Sequence, residues 1–113
     1  MKRLYRLKDA SDFQRVWASD RKWNHSLLAL RARSNNLTHS RFGFVAGKKI
    51  GKATARNRAK RLMREAARLY VQDLVEPTDI VLIAGRGMPE ATLEATRAAL
   101  GELLKRARLV NPK

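Results

Sequence analysis

The chain has 113 residues, no cysteine, and 25 lysines and arginines against 10 acidic residues, for a formal net charge of +15. This length predicts one domain, residues 1–113, and the missing cysteines exclude disulfides, thiolate catalysis and cysteine-based zinc sites. So large an excess of positive charge predicts a polyanionic partner, nucleic acid ahead of an anionic membrane surface.

The first eight residues are basic and lack the apolar stretch that a signal peptide requires. No run of about eighteen apolar residues, the length that spans a bilayer, occurs later in the chain. We therefore expect a soluble, cytoplasmic protein that has no membrane partner.

A first helix is predicted to begin near Ser11. Ser11 and Gln14 match the capping box, in which both side chains bond backbone N–H groups at a helix start. Phe13, Val16 and Trp17 follow at helical spacing on one face. On the residues alone, Phe13 and Trp17 fit an ordinary core better than a binding surface.

Strands are predicted next. Leu28 and Leu30 alternate with Ala29 and Arg31, which is typical of a half-buried strand whose arginine end is solvated. Residues 34–36 have turn chemistry, residues 41–46 form a second strand, and residues 21–26 have room for a short third one.

A long helix is predicted over residues 54–74, with Thr54 as its N-cap. Gly47 and Gly51 bracket a basic loop before it, and Pro77 lies beyond its end. Residues 79–84 form a continuous apolar, β-branched run, which indicates a strand buried on both faces. Residues 89–109 carry leucines on one side and predict a last helix.

This order of elements predicts an α+β fold, a small sandwich of a three- to four-stranded sheet with helices laid on it. The long helix would join two strands as a crossover connection. Such crossovers are right-handed in nearly all known proteins, so that hand is the general expectation.

One face of the long helix is basic. On a helical wheel, polar and basic side chains share one arc and apolar ones the other, and Glu65 is the only acid between Lys48 and Arg68. A merely solvated face mixes both signs, and a helix lying on a membrane needs larger apolar residues than the alanines found here. Phosphate binding is the interpretation we favour, because the arginine fork grips phosphate oxygens in pairs. The members of this arc are Arg56, Asn57, Lys60, Arg61, Arg64 and Arg68.

Residues 48–65, which read KKIGKATARNRAKRLMRE, closely resemble the signature of the bacterial ribonuclease P protein family, an Arg-Asn-Arg core followed by Lys-Arg and a further Arg. The resemblance continues upstream through residues 6–8, 12–17 and 41–44, and downstream through residues 79–85 and the last helix. It therefore covers nearly the whole chain in order.

The resemblance implies an accessory subunit of a ribozyme endoribonuclease that removes the 5′ leader of precursor tRNA. Its partners would be the catalytic RNA and precursor tRNA, with no protein partner required. Magnesium would be bound by the RNA, so the protein would hold no cofactor, no metal and no catalytic residue. The implied fold resembles certain ribosomal-protein domains and has a left-handed β-α-β crossover, against the general expectation.

The resemblance also implies two RNA-binding surfaces. A cleft beside the first helix would accept the single-stranded leader on aromatic side chains, and Arg31 stands where many family members carry an aromatic residue. The residues expected in the leader cleft are Phe13, Trp17, Arg31 and Phe44. The residues expected to contact the catalytic RNA are Lys48, Lys49, Lys52, Arg56, Asn57, Arg58, Lys60, Arg61, Arg64 and Arg68.

Two other functions compete with this interpretation. A ribosomal or ribosome-associated protein would share the charge and the fold type, but the motif over residues 56–64 argues against it. A protein nuclease would need clustered carboxylates or histidines, and the sparse acids do not cluster in the sequence. His25 and His39 lack the spacing of metal ligands, and Asp79 is expected to be a turn residue at a strand edge.

Overall fold

A computed structural model describes residues 1–111 as a four-stranded sheet with helices on both faces. The strands are β1 (Lys22–Asn24), β2 (Leu28–Ser34), β3 (Arg41–Val45) and β4 (Thr78–Ala84). The α-helices are α1 (Ala10–Trp17), α2 (Ala53–Arg68) and α3 (Leu93–Arg106). The predicted α+β class is confirmed, and so is the short strand expected within residues 21–26.

The sheet has the strand order β1-β2-β4-β3. β2 pairs antiparallel with both β1 and β4, whereas β3 and β4 are parallel neighbours. Because β3 and β4 are joined through α2, the predicted crossover connection is present. Its hand stays a prediction from the resemblance.

The main core lies between α2, α3 and one face of the sheet. β4 is the central strand that runs through it, and its residues 78–82 are all buried, which confirms the prediction of a strand covered on both faces. The largest fully buried side chains of this core include Leu30, Phe42, Met63, Leu82, Leu100 and Leu104.

A smaller apolar cluster lies on the other face of the sheet, beneath α1. Leu7, Val16 and Val81 are buried there, and Phe13, Val45 and Ile83 pack against them in part. α1 has only eight residues, so it covers part of this face and leaves the rest open.

The predicted helix starts need correction. α1 begins at Ala10 with Asp9 at the N-cap and no side-chain cap, so the capping box of Ser11 and Gln14 is wrong. α2 begins at Ala53, which puts Thr54 inside the helix rather than at its cap. α3 begins at Leu93, because the Thr92 hydroxyl accepts a hydrogen bond from the Ala95 N–H at 3.0 Å.

The predicted helix ends differ as well. α2 stops at Arg68, six residues before the predicted end at residue 74. Beyond it, Tyr70 donates its hydroxyl proton to the Arg97 carbonyl at 3.2 Å and lies against Gly101 of α3. This contact draws the chain off the α2 axis, and Val71–Asp73 forms a separate 3-10 turn. None of the helices in residues 1–111 is both long and apolar enough to cross a membrane.

Candidate nucleic-acid interface

The apolar side of α2 fixes which residues it shows to solvent. Ala59, Met63, Ala66 and Ala67 are buried against the main core. Because these residues recur every three or four positions, the opposite side of the helix faces away from the protein. The predicted basic arc lies on that opposite side.

We call this surface the basic face of α2, and it comprises Arg56, Asn57, Lys60, Arg61, Arg64 and Arg68. Asn57, Arg61 and Arg68 are exposed, and Arg56, Lys60 and Arg64 are partly exposed. Lys48, Lys49 and Lys52 are exposed in the turn that leads into the helix, so they extend the same surface. Arg58 lies to one side, where its Nε donates to the Pro89 carbonyl.

The basic face has almost no acidic partners. In the part of the chain that the structure describes, the one salt bridge of α2 joins Arg68 to Glu65 at 3.3 Å. No carboxylate of residues 1–111 pairs with Arg56, Lys60, Arg61 or Arg64. Their positive charge is therefore not neutralised inside the protein, and it stays available to a polyanion.

On the other face of the sheet, an apolar groove runs beside α1. The α1 groove has a volume of about 540 Å³. It is lined by Phe13, Gln14, Trp17, Ala18 and Val45. Trp17 is 47% exposed, so about half of its surface is accessible to a partner. An open aromatic floor of this kind suits stacking of unpaired bases.

Phe13 lies over a glycine of β3. A Cβ atom at Gly43 would stand 2.6 Å from two ring carbons of Phe13. No real side chain tolerates that distance, so the missing Cβ of Gly43 allows the Phe13 ring to lie against the sheet.

Arg31 contacts Trp17 directly. Its guanidinium carbon lies 5.0 Å from the centroid of the Trp17 ring, within the range of a cation–π interaction. The same side chain donates from Nη1 to the carbonyls of Trp17 at 2.9 Å and Ser19 at 3.3 Å. Arg31 is thus bonded within the protein, at the end of α1.

A second arginine holds the beginning of α1. Arg41 binds both oxygens of Asp79, at 2.9 and 2.7 Å, and one oxygen of Asp12 at 3.3 Å. Asp12 also pairs with Arg15, and Asn35 donates to Asp79 at 2.8 Å. The hydrogen bonds and charge of Asp79, joined by those of Asp12, raise the pKa of the Arg41 guanidinium despite its partial burial. We call this cluster the Arg41 network.

Phe44 and Trp23 lie on the face of the sheet opposite to the α1 groove. Phe44 packs against the main core, where its ring stacks with Phe42 at 6.4 Å between centroids. Alternation along β3 turns Val45 toward α1 and Phe44 away from it, so the prediction that Phe44 lines the leader cleft is wrong. Trp23 also packs on the main-core side.

The Arg41 network could not be predicted from sequence patterns. Arg41 lies 29 residues from Asp12 and 38 from Asp79, and no fixed spacing relates side chains that meet only through sheet pairing. Asp79 is also not a turn residue, because it lies within β4 and is buried. Within residues 1–111, no group of three or more His, Cys, Asp and Glu side chains is arranged to hold a metal ion.

Comparisons of the sequence and of the structure with known proteins agree on one family. The family model described as Ribonuclease P matches residues 1–108. The ribonuclease P protein component of Roseiflexus sp. (strain RS-1) is 40% identical over 108 residues, which cover 95% of this chain and 88% of the relative. The solved ribonuclease P protein of Staphylococcus aureus superposes with a TM-score of 0.83 at 29% identity, covering 95% of this chain and 98% of that one. That of Thermotoga maritima gives 0.78 at 31% identity, covering 89% and 96%.

Proposed function

This chain belongs to the ribonuclease P protein family, and on that premise we propose that two of its surfaces contact two different RNAs. The family serves the processing of tRNA 5′ ends, and its members are subunits of a ribonucleoprotein whose catalytic centre lies on the RNA. An RNA partner follows from this membership.

The basic face of α2, with Lys48, Lys49, Lys52 and Arg58 beside it, binds the catalytic RNA in this proposal. The observation that carries it is the lack of acidic partners on exposed arginines of a folded helix. Such a surface repels itself until phosphates supply the opposite charge. Arginine forks position an RNA backbone without reading its sequence, which suits a fixed partner.

The α1 groove binds the leader of precursor tRNA in this proposal. Trp17 and Phe13 offer ring surface to unpaired bases, and stacking of this kind tolerates any base. Arg31 belongs to the groove through its contact with the Trp17 ring. Magnesium would be held by the partner RNA, and the protein would contribute neither a cofactor nor a catalytic group.

Reconstitution tests the assignment of partners. Protein freed of RNA should leave precursor tRNA intact, and addition of a bacterial ribonuclease P RNA should release the 5′ leader at near-physiological magnesium. The affinity of the protein for that RNA should fall by about three orders of magnitude between 50 and 200 mM salt if six or more phosphates are contacted. Cleavage by the protein alone, or an affinity that does not change with salt, would contradict the proposal.

A further inference from the structure

We infer that Arg31 is a positioning residue, which holds the end of α1 and covers one face of the Trp17 ring, so that the other face alone is offered to a base. This inference rests on the proposed function of the α1 groove. It assigns to Arg31 a role other than direct contact with the leader.

The first support is the way in which Arg31 ends α1. The last carbonyls of a helix have no partners within the helix and carry partial negative charge. Arg31 donates to the carbonyl of Trp17, the last residue of α1, and to that of Ser19 just beyond it. A cation at this end of a helix is favoured by both the hydrogen bonds and the helix dipole.

The second support is the position of the guanidinium over the Trp17 ring. The 5.0 Å distance leaves no room for a base between them, so one side of the indole is occupied by the protein itself. The ring is nonetheless 47% exposed. Trp17 therefore has one open face, and it stacks a single base rather than inserting between two.

β2 fixes Arg31 in this position. Arg31 pairs with Lys22 of β1 and with Val81 of β4, in the interior of the sheet, where the backbone cannot shift without breaking both ladders. At the opposite end of α1, Asp12 is tied to Arg41. α1 buries few side chains, so these two arginines set its orientation, and with it the direction of the Trp17 ring.

A direct phosphate contact by Arg31 is the competing explanation, and two measurements separate it from positioning. Arg31→Gln should reduce the preference of the holoenzyme for precursor over mature tRNA by about fivefold. If Arg31 acts through Trp17, the same substitution should add no loss in a Trp17→Ala background, and the salt dependence of leader binding should not change. Additive losses, together with a salt slope lowered by about 0.7, would identify a phosphate contact and overturn the inference.

Arg33→Gln is the matched control. Arg33 lies two residues along β2 on the same face of the sheet, is exposed, and makes no contact with the Trp17 ring. Arg33→Gln removes the same charge as Arg31→Gln. An equal loss of precursor preference in the two variants would therefore also overturn the inference. Arg31→Lys keeps the charge but loses the planar fork, and it should not restore the preference. If Arg31→Gln folds poorly, Arg31→Lys replaces it as the test, and a normal preference for precursor tRNA in Arg31→Lys would overturn the inference.

A measurement on the free protein keeps the inference separate from the proposed function. In a Trp23→Phe background Trp17 is the only tryptophan, since the chain has two. Arg31→Gln should make its fluorescence more accessible to acrylamide and lower its anisotropy, whereas Arg33→Gln should do neither. If neither the acrylamide quenching nor the anisotropy changes, Arg31 does not hold the Trp17 ring in place. A precursor preference that survives Trp17→Ala would instead refute the groove as the leader site.

Discussion

The two faces of the sheet use their arginines in opposite ways. On the side of α2, the arginines of the basic face point outward and, apart from Arg68, have no carboxylate beside them within residues 1–111. On the side of α1, Arg31 and Arg41 are bonded to carbonyls and carboxylates of the protein itself. One set is kept free for a partner, and the other holds a short helix in place.

This difference shows that residue type alone does not distinguish an arginine paired within the protein from one that stays unpaired. Arg41 and Arg61 are equally basic in the sequence, but the side chain of Arg41 is only 19% exposed and its charge is matched by two aspartates. Arg61 is exposed and unmatched among the described residues. Removing Arg41 should therefore lower the stability of the fold, whereas removing Arg61 should weaken RNA binding.

The largest effect should come from the Arg41 network. Arg41→Met should lower the free energy of unfolding by about 3 kcal/mol, because the buried Asp79 would lose its one ion-pair partner among the described residues and the buried Asp12 would keep only Arg15. Chemical denaturation of the free protein measures this effect. Arg61→Met is the matched control and should leave stability unchanged or slightly raised, since it relieves repulsion in a chain of net charge +15. Equal losses in both variants would remove the distinction between the two sets of arginines.

The next effect should come from the basic face. Replacing Arg61 and Arg64 with alanine should weaken binding of the catalytic RNA by at least about a hundredfold, because two charge-assisted hydrogen-bonding groups are lost. The salt slope should fall by about 1.5, and the leader sequence of the substrate should matter little. Filter binding over a range of salt concentrations measures both. Alanine at Arg97 and Lys105, which are exposed on α3, is the control, and a similar loss there would indicate nonspecific attraction.

The smallest effect should come from the α1 groove. Trp17→Ala should weaken binding of precursor tRNA by about tenfold, and by a hundredfold at most, while binding of mature tRNA stays unchanged. Affinities of the holoenzyme for the two tRNAs measure this, beside a thermal melt of each variant. Leu69→Ala removes an apolar side chain with the same 47% exposure and should change neither affinity. A folded Trp17→Ala protein with undiminished preference for precursor would exclude Trp17 from the leader site.

Much of the fold could be predicted because its signals are local. The unbroken apolar run of residues 79–84 predicted the central strand, and the spacing of Ala59, Met63 and Ala66 predicted which side of α2 faces the core. The end of α2 could not be predicted in this way. It depends on Tyr70 meeting Arg97 and Gly101, which lie on a later helix.

The site shows the same division. The basic face could be predicted because helical spacing alone gathers its residues. Phe44 was misassigned because the family resemblance placed an aromatic residue in the cleft, whereas the alternation of β3 decides which face it occupies. The roles of Arg31 and Arg41 depend on contacts between distant strands and α1, for which the sequence carries no fixed spacing.

The contact between Phe13 and Gly43 also limits how this protein can change over generations. Any side chain at residue 43 would place its Cβ atom 2.6 Å from the Phe13 ring, so a substitution there forces either a shift of that ring or a smaller residue at position 13. A smaller residue at position 13, however, removes ring surface from the α1 groove. Neither residue can then vary alone without loss, and the pair is expected to evolve as a unit, with Gly43 tied to the groove although its own surface contributes nothing to it.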